Sequence, residues 1–84
     1  MDEMARLNVT YSGQNGDLPD PVAYDTPTVN LLQMAQEALR NGDIPGITAD
    51  AAADLDGFVV DRFPATGALQ NRIFIRAKTP FGQE

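Results

Sequence analysis

The sequence predicts an α+β roll in which one helix lies across one face of a sheet, and three observations carry that prediction. Segments with a two-residue apolar alternation flank a single segment whose apolar residues recur at steps of three and four. That single segment is bracketed by helix start and stop signals. The chain has 84 residues, too few for a second core, so helix and sheet must bury their apolar faces against each other.

The first strand is read from Arg6 to Tyr11, with Leu7, Val9 and Tyr11 on one face and Arg6, Asn8 and Thr10 on the other. Ser12 to Asp17 contains Gly13, Asn15 and Gly16, residues that tolerate positive φ, and is expected to be the turn of a hairpin. Apolar residues resume at Leu18, Val22 and Tyr24. Pro19 and Pro21 cannot donate to a ladder, so this second arm is expected to be a short edge strand. The period then changes. Thr26 is a candidate N-cap, Pro27 suits the first helical position, and Val29, Leu32, Ala35 and Leu39 form a helical stripe that Leu31, Met34 and Ala38 widen. Arg40 complements the helix dipole, Gly42 suits the left-handed position after the last turn, and Pro45 forbids continuation. Ile44-Pro45-Gly46-Ile47 is expected to be a buried turn, and Thr48 to cap a short helical turn from Ala49 to Leu55, ended by Gly57. Phe58 to Phe63 is rich in β-branched and aromatic residues and predicts a strand stopped by Pro64, followed by a loop from Ala65 to Asn71. Arg72 to Lys78 alternates Ile73, Ile75 and Ala77 with Arg72, Phe74, Arg76 and Lys78, predicting a last strand with basic residues outward. The expected core is Leu7, Val9, Leu31, Leu32, Ala35, Leu39, Ile44, Ile47, Phe58 or Val59, Ile73 and Ile75.

Composition removes many function classes. Twelve acidic residues against six basic ones give a net charge of −6 and a pI near 4.3, which should repel phosphate backbones and anionic lipid. No nucleic-acid or membrane partner is therefore expected. The chain has no Cys, His or Trp, which excludes thiolate nucleophiles, imidazole bases, disulfides and zinc-thiolate sites. No apolar run is long enough to span a bilayer, and Met1-Asp2-Glu3-Met4 is acidic where a signal peptide would be basic, so a cytoplasmic location is expected. Asp50, Asp54 and Asp56 before Gly57 have an incomplete calcium-loop spacing with no closing Glu, and no metal site is expected. Gly13 and Gly16 belong to a hairpin rather than to a phosphate cradle opening a helix, so no nucleotide or other cofactor is expected.

Taken together, the order hairpin, helix, turn, strand, loop and C-terminal strand resembles the ubiquitin-like β-grasp fold, a mixed sheet with one main helix packed on one face. The helix exit Arg40-Asn41-Gly42-Asp43-Ile44-Pro45 is similar to the Gly-Ile-Pro bend after the ubiquitin helix, with one Asp inserted. The strand Ile73-Phe74-Ile75-Arg76-Ala77-Lys78 running toward Gly82 is similar to the basic terminal strand and tail of such modifiers. Among relatives, the chain most resembles bacterial ubiquitin-like proteins encoded beside an activating enzyme, a conjugating enzyme and a JAB-type protease. The resemblance implies a flexible N-terminus over 1–5, a β-grasp domain over 6–78 and an exposed tail over 79–84. It also implies a protein modifier that is not itself an enzyme: a processing protease removes Gln83-Glu84, the activating enzyme spends ATP on the Gly82 carboxylate, and target proteins receive it. Relatives usually end in Gly-Gly, whereas Phe81 precedes the glycine here.

The tail residues fit that chemistry individually. Glycine has no Cβ and permits close backbone approach, Pro80 ends sheet pairing, and Phe81 offers a ring to a partner's pocket. Arg72, Arg76 and Lys78 are available to an acidic partner surface. Val59, Phe63 and Phe74 cannot all face the helix, since strand alternation sends some outward, so an apolar patch exposed on the sheet is expected. Two other functions use the same shape: a non-covalent adaptor binding through the sheet, and a sulfur carrier activated at the same glycyl carboxylate.

Overall fold

The computed structural model describes residues 4–67 and 70–78. The elements follow as β1 (Met4–Tyr11), β2 (Gln14–Asp17), β3 (Val22–Ala23), α1 (Thr28–Asn41), β4 (Phe58–Phe63) and β5 (Arg72–Ala77). The sheet order is β2-β1-β5-β4, with β3 also paired to β1. β1 and β5 run parallel at its centre and every other pair is antiparallel. This mixed sheet, with α1 packed on one face, is the expected α+β architecture, a β-grasp-like roll.

β1 shows the predicted alternation, with Ala5, Leu7 and Val9 buried and the intervening residues outward. It begins two residues before Arg6, because Met4 and Ala5 pair with Ala23 and Val22. Those two residues therefore belong to the sheet and not to a free N-terminal segment. The expected six-residue turn is overturned. Tyr11 faces Gln14, so the turn is Ser12 and Gly13 alone, at φ 53° and 77°, and Gln14–Asp17 is strand. Two consecutive positive φ values give the twist that a tight hairpin needs. Asn15 and Gly16 serve other purposes. The Asn15 amide donates to Asn8 Oδ1 at 2.7 Å and to Thr10 Oγ1 at 2.8 Å. Gly16 lets the Pro45 carbonyl lie against the hairpin, since a Cβ there would fall 2.1 Å from that oxygen.

Farther along the hairpin the two arms fall out of step. Asn8 faces Asp17 but Met4 faces Ala23, so four steps along β1 are matched by six along the other arm. The surplus falls at Pro19-Asp20-Pro21, where missing donors make a bulge cheap. The short edge pairing expected of this arm is β3.

α1 begins one residue later than a Thr26 cap implies. Pro27 is the N-cap, and no side chain caps the helix. The Thr26 hydroxyl donates instead to Ala23 O at 2.7 Å, and Arg62 donates to the carbonyls of Tyr24 and Thr26 and to Thr28 Oγ1. The guanidinium thus fixes the approach to the helix. At the other end Gly42 is left-handed, its N–H donates to Leu39 O and the Asp43 N–H donates to Ala38 O, which is the Schellman arrangement. Leu31, Ala35 and Leu39 form the buried stripe, while Val29, expected within it, is 69 % exposed.

The helical turn expected from Ala49 to Leu55 does not form. Asp50 Oδ1 accepts the Ala52 N–H and Asp54 Oδ1 accepts the Asp56 N–H, local bonds that compete with helical ones. The Leu55 N–H goes to Gln36 Oε1, and the Thr48 N–H goes to Gln14 Oε1. The segment still supplies Ile44, Ile47, Ala53 and Leu55 to the core, alongside Leu7, Val9, Ile73 and Ile75. In β4 the alternation resolves in favour of Phe58, which packs on the core with Val60, while Val59 faces the other way.

Candidate functional site

The face of the sheet opposite α1 carries most of the candidate residues. Alternation sends Val59, Asp61 and Phe63 of β4 and Arg72, Phe74 and Arg76 of β5 to this side. Register sets their spacing, since Val59 lies opposite Arg76, Asp61 opposite Phe74 and Phe63 opposite Arg72. The Phe63 and Phe74 rings meet edge to face, centroids 5.4 Å apart at 78°, the arrangement that aromatic quadrupoles favour. The Arg72 guanidinium carbon stands 5.8 Å from one ring centroid and 5.5 Å from the other. Phe63 remains 45 % exposed.

The predicted patch is therefore a ring pair with a cation set against it. Val59 stands apart from it, beside Arg76. Arg76 is committed elsewhere, with its Nε and Nη2 at 2.9 and 2.7 Å from one Asp61 carboxylate oxygen. Both partners of that pair are well exposed, so it adds little to stability. Lys78 follows the end of β5 and is exposed. Pro80, Phe81 and Gly82 lie outside the described residues.

β1 and β2 extend the same face. Arg6 is the register partner of Arg72, and Asn8 that of Phe74. Arg6, Asn8, Asp17, Arg72 and Phe74 line a cleft of about 200 Å³. Asn8 Nδ2 donates to Asp17 Oδ1 at 2.7 Å and to Asn15 Oδ1 at 3.0 Å, which holds the cleft's polar wall. Alternation along β1 predicts Arg6 and Asn8 outward but does not join them to Arg72 and Phe74. The missing information was the parallel pairing of β1 with β5, which brings residues sixty-six positions apart side by side.

A second polar cluster joins the hairpin tip to the loop after α1. The Tyr11 hydroxyl donates to Asp50 Oδ2 at 2.7 Å. That bond is the main cause raising the Tyr11 hydroxyl above its ordinary value, with burial and the charges of Asp50 and Asp54 adding to it. The same bond is the main cause holding Asp50 below the ordinary carboxylate value, helped by the Ala52 N–H and the Arg40 charge and opposed by burial. These groups satisfy one another, which is the pattern of a structural latch. Between α1 and residues 54–56 runs a wider trough of about 450 Å³ that includes Val29 and Leu32.

Among the described residues, no group of three or more acidic side chains is arranged to hold a metal ion, and no helix is long and apolar enough to cross a membrane. No known protein family, curated protein or solved structure matches the chain.

Proposed function

We propose that this chain is a ubiquitin-like protein modifier, joined to target proteins through the carboxylate of Gly82 after cleavage behind that residue removes Gln83-Glu84. The observation that carries the reading is the β-grasp-like topology: the last strand is central and parallel to the first, and Lys78, which follows it, is exposed four positions before Gly82. In this reading the chain is a substrate, not a catalyst. A partner activating enzyme condenses the glycyl carboxylate with ATP, releasing pyrophosphate. The acyl group then passes, through a conjugating enzyme, to an amine or hydroxyl of the target as AMP leaves. A JAB-type protease reverses the linkage. Lys78 and Arg76 adjoin the tail and would meet the activating enzyme, and Phe81 would enter its pocket. Lys78 is also the chain's single lysine, so lysine-linked chains would grow there.

The test is adduct formation in the source cells by a tagged chain. Higher-mass species should form with the native tail and disappear with Gly82→Trp, and adducts that persist in that variant would refute the reading. A non-covalent adaptor is the second reading, favoured by the pairing of the exposed Phe63 ring with the half-buried Phe74 ring on the outer face. Deleting 82–84 would leave an adaptor's binding intact and abolish a modifier's adducts. A sulfur carrier would instead yield a thiocarboxylate at Gly82.

A further inference from the structure

The outer-face cleft contains two cations, Arg6 and Arg72, that form no ion pair with a carboxylate among the described residues. Arg40, Arg62 and Arg76 each donate to an oxygen of the chain. Arg6 and Arg72 have no such acceptor among the described residues, and Arg72 Nε is buried without a hydrogen-bond partner. They are register partners on adjacent strands, where like charges repel. A chain with twice as many acids as bases could have placed a carboxylate between them, and Asp17, the acid that lines the cleft, accepts from Asn8.

We propose that this cleft is a docking site for an acidic peptide segment of a partner protein. A side-chain carboxylate would accept from Arg6 and Arg72, and a neighbouring apolar side chain would lie against Phe74 and Phe63. Charge selects the carboxylate. Arg6, Arg72 and Asp17 together leave one net positive charge, which matches a monoanion better than a phosphate dianion, and the chain's overall −6 disfavours a nucleic acid. Size selects a peptide, because about 200 Å³ of open cleft is too small to enclose a drug-sized molecule yet accepts one or two side chains from an extended chain. The proposal deepens the non-covalent reading by naming its ligand, and it holds whether or not Gly82 is conjugated.

The test is an NMR titration of the ¹⁵N-labelled protein with the blocked peptide Ser-Glu-Leu-Phe-Ser, its Gln counterpart and a version with phosphoserine in place of Glu. The Glu peptide should saturably shift the Arg72 Nε–H and the amides of Arg6, Asn8 and Phe74, and the Gln counterpart should bind at least tenfold more weakly. Arg72→Gln should weaken the Glu peptide about tenfold. Arg6→Gln, a change at an exposed side chain, should weaken it severalfold with the amide pattern of the core unchanged. Equal binding of the Glu and Gln peptides, or no saturable shift, would overturn the proposal. So would tighter binding of the phosphopeptide, which would make the ligand a phosphate, or movement of the same signals on dilution of the protein alone, which would make the occupant a second copy. Loss of adducts in Gly82→Trp bears on conjugation alone and leaves these shifts unaffected.

Discussion

Gly16→Ala is the substitution whose cost the packing defines most closely. A Cβ at this position would sit 2.1 Å from the Pro45 carbonyl oxygen and 2.9 Å from Ile44 Cγ2, both inside the 3.0 Å that real contacts essentially never breach. The closer obstacle is backbone, so no rotamer change relieves it. β2 and the 44–46 turn have to part by roughly 1 Å, and each is anchored: β2 by its pairing with β1, the turn by the buried Ile44 and Ile47. Overpacking of this kind costs about 1–3 kcal/mol, and the backbone obstacle puts this site at the upper end. Gly16 does not have a positive φ, so alanine regains about 0.4–1 kcal/mol by restricting the unfolded chain. The net loss is about 2 kcal/mol, which for a domain of this size lowers the melting temperature by about 8–16 °C. Thermal unfolding followed by far-UV circular dichroism measures it, and the amides of Asn15 and Ile44 to Ile47 should move with it. A melting temperature within about 4 °C of the parent would refute the proposed contact between hairpin and turn.

Arg62→Met removes three hydrogen bonds from a partly buried guanidinium, at 2.7, 2.8 and 3.1 Å, and should cost about 2–3 kcal/mol in urea unfolding, with faster amide exchange at Thr26 to Leu31. The Tyr11 and Asp50 pair predicts a pH profile with two limbs. Asp50 is lowered when folded, so its contribution is present above its unfolded value of 3.8 and is lost as pH falls through the folded one; Tyr11 is raised, so its contribution is present below 10.0 and is lost as pH rises through the folded value. Tyr11→Phe should flatten both limbs of stability against pH while leaving the middle of the range close to level in slope, and limbs unchanged in that variant would refute the latch.

Strand and helix periodicity made most of the fold legible. Leu7 and Val9, Leu31, Ala35 and Leu39, and Ile73 and Ile75 are buried where alternation and helical spacing put them, because each lies in an element with one apolar face. The failures share a physical origin: these side chains could serve several partners, local or distant, and sequence spacing does not say which one they take. The Thr26 hydroxyl turns back to Ala23 O instead of capping the helix, while Arg62 holds the carbonyls of Tyr24 and Thr26. Asp50 and Asp54 bond their own backbone, so an Ala-rich segment that could have been helical is not. Asn15 and Gly16 look like turn residues, yet they serve a cross-strand amide bond and a close backbone approach. The outer-face ring pair could be foreseen from the alternation of β4 and β5. Its union with Arg6 and Asn8 could not, because it depends on the register of the parallel β1 and β5 pair.

The most direct measurement of the proposed role is tandem mass spectrometry of trypsin-digested adducts recovered with the tagged chain from its own cells. Trypsin cuts after Lys78, so a modified lysine on another protein should carry Thr79-Pro80-Phe81-Gly82 joined through the Gly82 carbonyl. Recovering only unattached termini that still extend past Gly82 would contradict it.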